Sequence, residues 1–151
     1  KNDANIVASN IEENLALADI VRGSDEDFNI LYELNDVDAV YEQKIAPFVQ
    51  NFIYTRGAKP AELRAKMNIR SQYPVPKVET VSTIGAGDSF NAGFAYGLIR
   101  YGITRNHLMQ GLTKAQWDSL FESALQFSSN VCQHLENYID FEFAQKMKAN
   151  W

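Results

Sequence analysis

The run Thr83-Ile84-Gly85-Ala86-Gly87-Asp88-Ser89-Phe90 combines the residue types that handle phosphate. Glycines at alternate positions let successive backbone N–H groups turn toward one anion, because glycine enters unusual backbone conformations without steric cost. The apolar stretch that follows predicts a helix whose free N-terminal amides and dipole add positive charge at the same place. A carboxylate set beside such a cradle can take the proton of a substrate hydroxyl. Together these features point to phosphoryl transfer. A purely structural reading stands beside it, in which the glycines shape a tight strand-to-helix turn and Asp88 is an acid favoured in a first helical turn.

Residues Ser82 to Phe94 resemble the carboxy-terminal signature of the ribokinase-like (PfkB-type) carbohydrate kinases, Asp-Thr-x-Gly-Ala-Gly-Asp. The resemblance implies that the amides of Gly85, Ala86 and Gly87 form an anion hole for the transferring phosphate, with Asp88 as catalytic base. Ser82 stands where the family has an acid that helps organise the loop and, in some members, a monovalent-cation site, so dependence on such a cation does not follow. Thr55-Arg56-Gly57-Ala58-Lys59-Pro60 resembles the family's Thr-x-Gly-x-x-Gly along the nucleotide phosphates. Thr55 and Gly57 match, whereas Pro60 replaces the second glycine and brings no N–H.

Fainter echoes assign Asp27 to the neighbourhood of a metal, and Ser129 and Asn130 to the helix that packs against adenine. The resemblance thus implies ATP and Mg²⁺ as cofactors and a sugar or sugar-like acceptor. It also implies an α/β, layered αβα fold with a mostly parallel sheet, incomplete because these kinases are about twice this length. The chain reads as their carboxy-terminal, nucleotide-binding and catalytic portion. The competing class is a non-catalytic nucleotide-binding or structural remnant that pairs with another chain.

The elements that must position these residues follow from apolar spacing. Helices are expected over residues 10–18, after Ser24, over 37–49, after the glycine loop, and over 114–136. Ser24 with Asp27 reads as a variant capping box. Residues 37–49 should bury Val40, Ile45 and Phe48; the helix after the loop should carry Phe90, Phe94, Gly97 and Tyr101 on one face. The long helix should bury Trp117, Leu120, Phe121, Ala124, Phe127, Val131 and Leu135. Strands are expected at 19–21, 52–54, 61–65 and 78–81, with 68–72 as a polar turn. Alternating strands and helices imply an α/β layered architecture.

A chain of 151 residues with 46% hydrophobic content predicts one compact domain over 1–151. A formal charge of −5 without a Lys/Arg run argues against nucleic acid as a partner. The single cysteine, Cys132, reads as a core thiol and rules out an internal disulfide framework. No run approaches the ~20 apolar residues of a membrane span, and the chain's start lacks the basic and apolar regions of a signal peptide. The expectation is therefore a cytoplasmic protein with no membrane partner. His107 and His134 have no metal-ligand spacing and read as structural or surface residues. Apolar surface left where further strands would pair predicts self-association, and so a homo-oligomer is expected.

Overall fold

The computed structural model describes residues 2–149. They gather into two compact units, Lys1–Pro74 and Val75–Trp151. The first contains helix α1 (Asn2–Leu15), strand β1 (Val21–Ser24), helix α2 (Asp25–Tyr32), helix α3 (Val37–Val40) and a π-helical turn continuing it (Tyr41–Ile45). Strands β2 (Phe52–Arg56), β3 (Lys59–Ala65) and β4 (Ile69–Tyr73) complete it.

The sheet runs β1-β2-β3-β4. β1 and β2 are parallel, joined across α2 and α3, whereas β2, β3 and β4 are successively antiparallel. The sheet is thus mixed rather than mostly parallel, and loop length is the reason. Pairing of Arg56 with Lys59 leaves two residues to turn, and pairing of Ala65 with Ile69 leaves three. Connections that short can only reverse a strand, since a parallel return needs a crossover of about a dozen residues. Residues 69–72, expected in a polar turn, are therefore most of strand β4. The turn itself is 66–68, where Met67 and Asn68 adopt positive φ.

Ser24 caps α2 as its sequence predicts: its Oγ accepts from the amide of Asp27 at 3.1 Å, and Asp27 Oδ2 accepts from the amide of Ser24 at 2.8 Å. Phe28 then reaches Phe52 and Tyr54, with ring centroids 5.3 and 5.8 Å away. Val40, Ile45 and Val49 join the same core. Val49, 3% exposed, takes the place expected of Phe48, which is 48% exposed. The π turn explains the shift. The Ala46 amide donates to Tyr41 O at 2.7 Å, one residue beyond the α-helical partner, so the apolar face advances by one position.

The second unit is helical: α4 (Ala86–Arg100), α5 (Arg105–Gln110), α6 (Lys114–Val131) and α7 (Phe141–Ala149). α4 and α6 pack antiparallel, Gly93 lying against Ser123, Ala124 and Phe127 while Gly97 lies against Leu120. The small residues of α4 thus bring it close to another helix. Tyr101, expected on the buried face, is the C-cap of α4 and is 42% exposed. Leu135 is 78% exposed because α6 ends at Val131, before the stripe reaches it. Residues 78–81 form no strand; the amides of Val81 and Ser82 donate instead to Cys132 O at 2.8 and 3.3 Å. Among the described residues no helix is long and apolar enough to cross a membrane.

Candidate active site

Gly85, Ala86, Gly87 and Asp88 come together on the first turn of α4. Gly85 is the N-cap residue, left-handed at φ 80°, and offers no side chain to the helix. The first N–H groups of a helix lack internal partners and need a cap, water or a ligand. Here the Ala86 amide donates to Thr83 O at 3.2 Å and the Ser89 amide to Gly85 O at 2.9 Å. The amides of Gly87 and Asp88 have no side-chain cap to spend themselves on. Asp88 is exposed, and its carboxylate has no hydrogen-bonding or ionic partner among the described residues. The loop therefore presents an anion-favouring backbone with a free carboxylate at its edge.

The chain must be glycine at position 85 for two reasons. A side chain there would adopt an unfavourable positive φ, and its Cβ would lie 3.0 Å from both the Cβ and the carbonyl oxygen of Asn137. Before the loop, Ser82 Oγ accepts from the Ile84 amide at 3.2 Å. A serine thus performs a loop-organising bond at the position where the resemblance expects an acid.

Ser129 and Asn130 lie at the end of α6, 7% and 9% exposed. Ser129 Oγ is buried without a hydrogen-bond partner. Asn130 is engaged at both ends of its amide: Nδ2 donates to Asp140 Oδ2 at 2.5 Å and Oδ1 accepts from the Asp140 amide at 3.0 Å. Asp140 also accepts from the amide of Phe143 at 2.7 Å, capping α7, and its Oδ2 lies 3.2 Å from His134 Nε2. The Phe143 amide first, then Asn130 and His134, hold the Asp140 carboxyl below the usual carboxylate range. Sequence reasoning passed over Asp140, although an Asp directly before a helical run is an N-cap signature. His107 is structural too, its Nδ1 accepting from the Thr104 amide at 3.0 Å. Cys132 is half-buried at the end of α6, and burial pushes its thiol up.

In the first unit, Thr55 Oγ1 accepts from Arg22 Nη2 at 3.0 Å and lies 3.3 Å from Gly23 O, bridging β1 and β2. Gly57 turns the β2–β3 hairpin at φ 55°, and Pro60 sits where the register shifts, a place where a missing N–H costs no ladder bond. Asp27 is spent on its own helix cap. Among the described residues no group of three or more His, Cys, Asp or Glu converges to hold a metal. A charged set on β3 was also missed. Glu62 and Arg64, 4% and 7% exposed, pair at 3.0 Å, and Arg64 reaches Asp38 at 2.6 Å. Arg64, joined by Arg70, holds the Asp38 carboxyl below its ordinary range.

The sequence pattern described as pfkB family carbohydrate kinase matches residues 1–136. A fructokinase of Rhizobium leguminosarum bv. trifolii is 33% identical over 116 residues, covering 77% of this chain and 33% of that protein. The crystal structure of aminoimidazole riboside kinase from Salmonella enterica, complexed with aminoimidazole riboside and an ATP analog, matches with a TM-score of 0.76 at 21% identity. That match covers 95% of this chain and 46% of the other. Fructokinase from Vibrio cholerae O395, in its fructose, ADP and calcium ion bound form, matches with a TM-score of 0.72 at 22% identity, covering 86% and 40%. These likenesses give the chain a ribokinase-like α/β fold. It spans about a third of the length of the curated relative and less than half of the solved ones.

Proposed function

Since the chain belongs to the pfkB family of carbohydrate kinases, we propose that it is the nucleotide-binding and catalytic portion of an ATP-dependent kinase acting on a sugar hydroxyl. The observation that carries this reading is the exposed, unpartnered Asp88 on the third residue of a helix whose first amides no side chain caps. Asp88 accepts the proton of the acceptor hydroxyl as its oxygen bonds to the γ-phosphorus and the bond to the leaving ADP oxygen breaks. Gly85, Ala86 and Gly87 supply the turn and the amides that face the phosphoryl oxygens, where the helix dipole favours negative charge. Their fit to a phosphate rests on the amides of Gly87 and Asp88, which no side chain caps. In this reading Thr55 and Gly57 of the first unit, and Ser129 and Asn130 of the second, are the candidate nucleotide-binding residues, although the Asn130 amide is engaged by Asp140 and the Ser129 hydroxyl is buried.

For Mg²⁺ the fit is poor. Asp27, the one metal candidate, is committed to Ser24, and no cluster of ligands accompanies it among the described residues.

The second reading, a nucleotide-binding or structural module that pairs with another chain, draws on Ser82 in place of the family's acid and on Pro60 in place of its second glycine. ATP titration of this chain, together with sugar-dependent ADP release by the whole protein that carries it, separates the two. Binding with turnover over a panel of pentoses and hexoses supports the kinase, and binding without turnover selects the module. Absence of nucleotide binding removes the kinase and leaves a purely structural module.

A further inference from the structure

Residues 132–140 connect α6 to α7, and none of them is buried. Leu135 and Tyr138 are 78% and 64% exposed, so this segment is not held in place by a hydrophobic core of its own. Yet it is the wall against which the glycine loop rests. Cys132 O receives the amides of Val81 and Ser82, and Asn137 lies so close to Gly85 that any Cβ there would meet its backbone at 3.0 Å. What fixes the segment is polar and sits at its two ends: Asn130 and Asp140 exchange hydrogen bonds at 2.5 and 3.0 Å. The buried Asn130 is anchored in α6, while Asp140 is anchored by capping α7.

Resting on the phosphate-binding reading of the glycine loop, we propose that Asn130 and Asp140 are positioning residues whose reciprocal bonds clasp residues 132–140 against Gly85 and so set the loop's amides. Asn130 then serves the nucleotide phosphates through the loop, and its amide does not read a base. His134, whose Nε2 lies 3.2 Å from the same carboxylate oxygen, braces the clasp from inside the segment. A purely structural role for Asp140 would end at α7. The clasp extends its influence to residues 82–88.

The variants can separate the two roles. Asp140→Asn keeps an oxygen to cap α7, because Asn and Asp are comparable N-caps, but it turns an NH₂ toward the NH₂ of Asn130. Adding Asn130→Asp restores a donor facing an acceptor. In the 151-residue chain without ligand, amide hydrogen exchange at Ser82 and Ala86 should quicken about tenfold in Asp140→Asn, the scale of one hydrogen bond to a charged group. It should return toward the original rate in the double variant, with Phe94 and Phe143 unchanged throughout. ADP affinity should fall and recover in parallel, while adenosine affinity stays within about twofold, since only ADP carries phosphates for the loop to hold. Unchanged exchange at Ser82 and Ala86 in Asp140→Asn, or no recovery in the double variant, overturns the clasp. Failure of the original chain to bind ADP would instead count against the phosphate reading, and the exchange data would still decide whether the clasp orders the loop.

Discussion

At the scale of single residues the site turns on a carboxylate with nothing to do in the free protein. Asp88 sits beside unspent helix amides and keeps no partner among the described residues. Asn is nearly isosteric but cannot accept the proton, so Asp88→Asn in the whole protein should lower kcat by at least about two orders of magnitude. Nucleotide affinity, measured by titration of the same preparation, should change little; an unchanged kcat would reduce Asp88 to an acid that stabilises its helix. Gly85 carries a different load. Gly85→Ala forces an alanine to φ 80° against Asn137, a backbone strain of about 1–2 kcal/mol before any contact is counted. The loop should shift to relieve it, so ADP affinity should fall while thermal unfolding of the rest of the second unit moves by only a few degrees. The turn at Gly85 was legible because it lies within one short run. The bond between Asn130, named as a nucleotide candidate, and Asp140 was not, since the two are ten residues apart and no local pattern joins them.

At the scale of elements, the helix α4 approaches α6 only because position 93 has no side chain. A Cβ on Gly93 would stand 2.7 Å from Ser123 O and 2.9 Å from Ala124 Cα, atoms of a backbone that cannot step aside. Gly93→Ala should therefore cost about 1–3 kcal/mol by overpacking, read as a lower denaturation midpoint. The cap of α2 and the cores of β2 and β3 follow from their own residues, which is why the sequence indicates them; the short helices α5 and α7 it does not. Errors arose where a non-local choice intervenes. The π turn re-phases Val49 and Phe48 because burying Ile45 on the face of Val40 requires an extra residue in the turn. Ile45→Ala should cost about 2–5 kcal/mol, whereas Phe48→Ser should stay within about 0.5 kcal/mol. Glu62, Leu63 and Arg64 alternate charged and apolar along β3, yet residues 61–65 are all buried. The ion pairs on that face carry a pH signature. The Asp38 carboxyl is held low by Arg64, so its stabilisation is complete above the unfolded value of about 4 and fades as pH falls through the lower folded value. Urea unfolding between pH 7 and pH 3 should lose less stability in Asp38→Asn than in the original chain.

At the scale of the whole molecule, the chain spans about a third of the curated fructokinase it resembles, and a kinase must hold its acceptor as well as its donor. Orientation of two reactants supplies roughly 7–11 kcal/mol of a bimolecular barrier. The residues proposed above would grip phosphate and accept a proton, but none of them is assigned to a sugar ring. The 151-residue chain should therefore bind nucleotide and yet phosphorylate sugars far more slowly than its longer relatives do. Strand β1 ends the sheet, hydrogen-bonded to β2 on one side and to no strand of the described residues on the other. The edge strand of a sheet is a place where another chain can pair. Light scattering coupled to size-exclusion chromatography should accordingly find self-association that rises with concentration, and sugar-dependent ADP release should stay near background. A monodisperse monomer with ordinary turnover would mean that the acceptor is held within these residues after all, and the search for sugar contacts would move to the surfaces around Asp88.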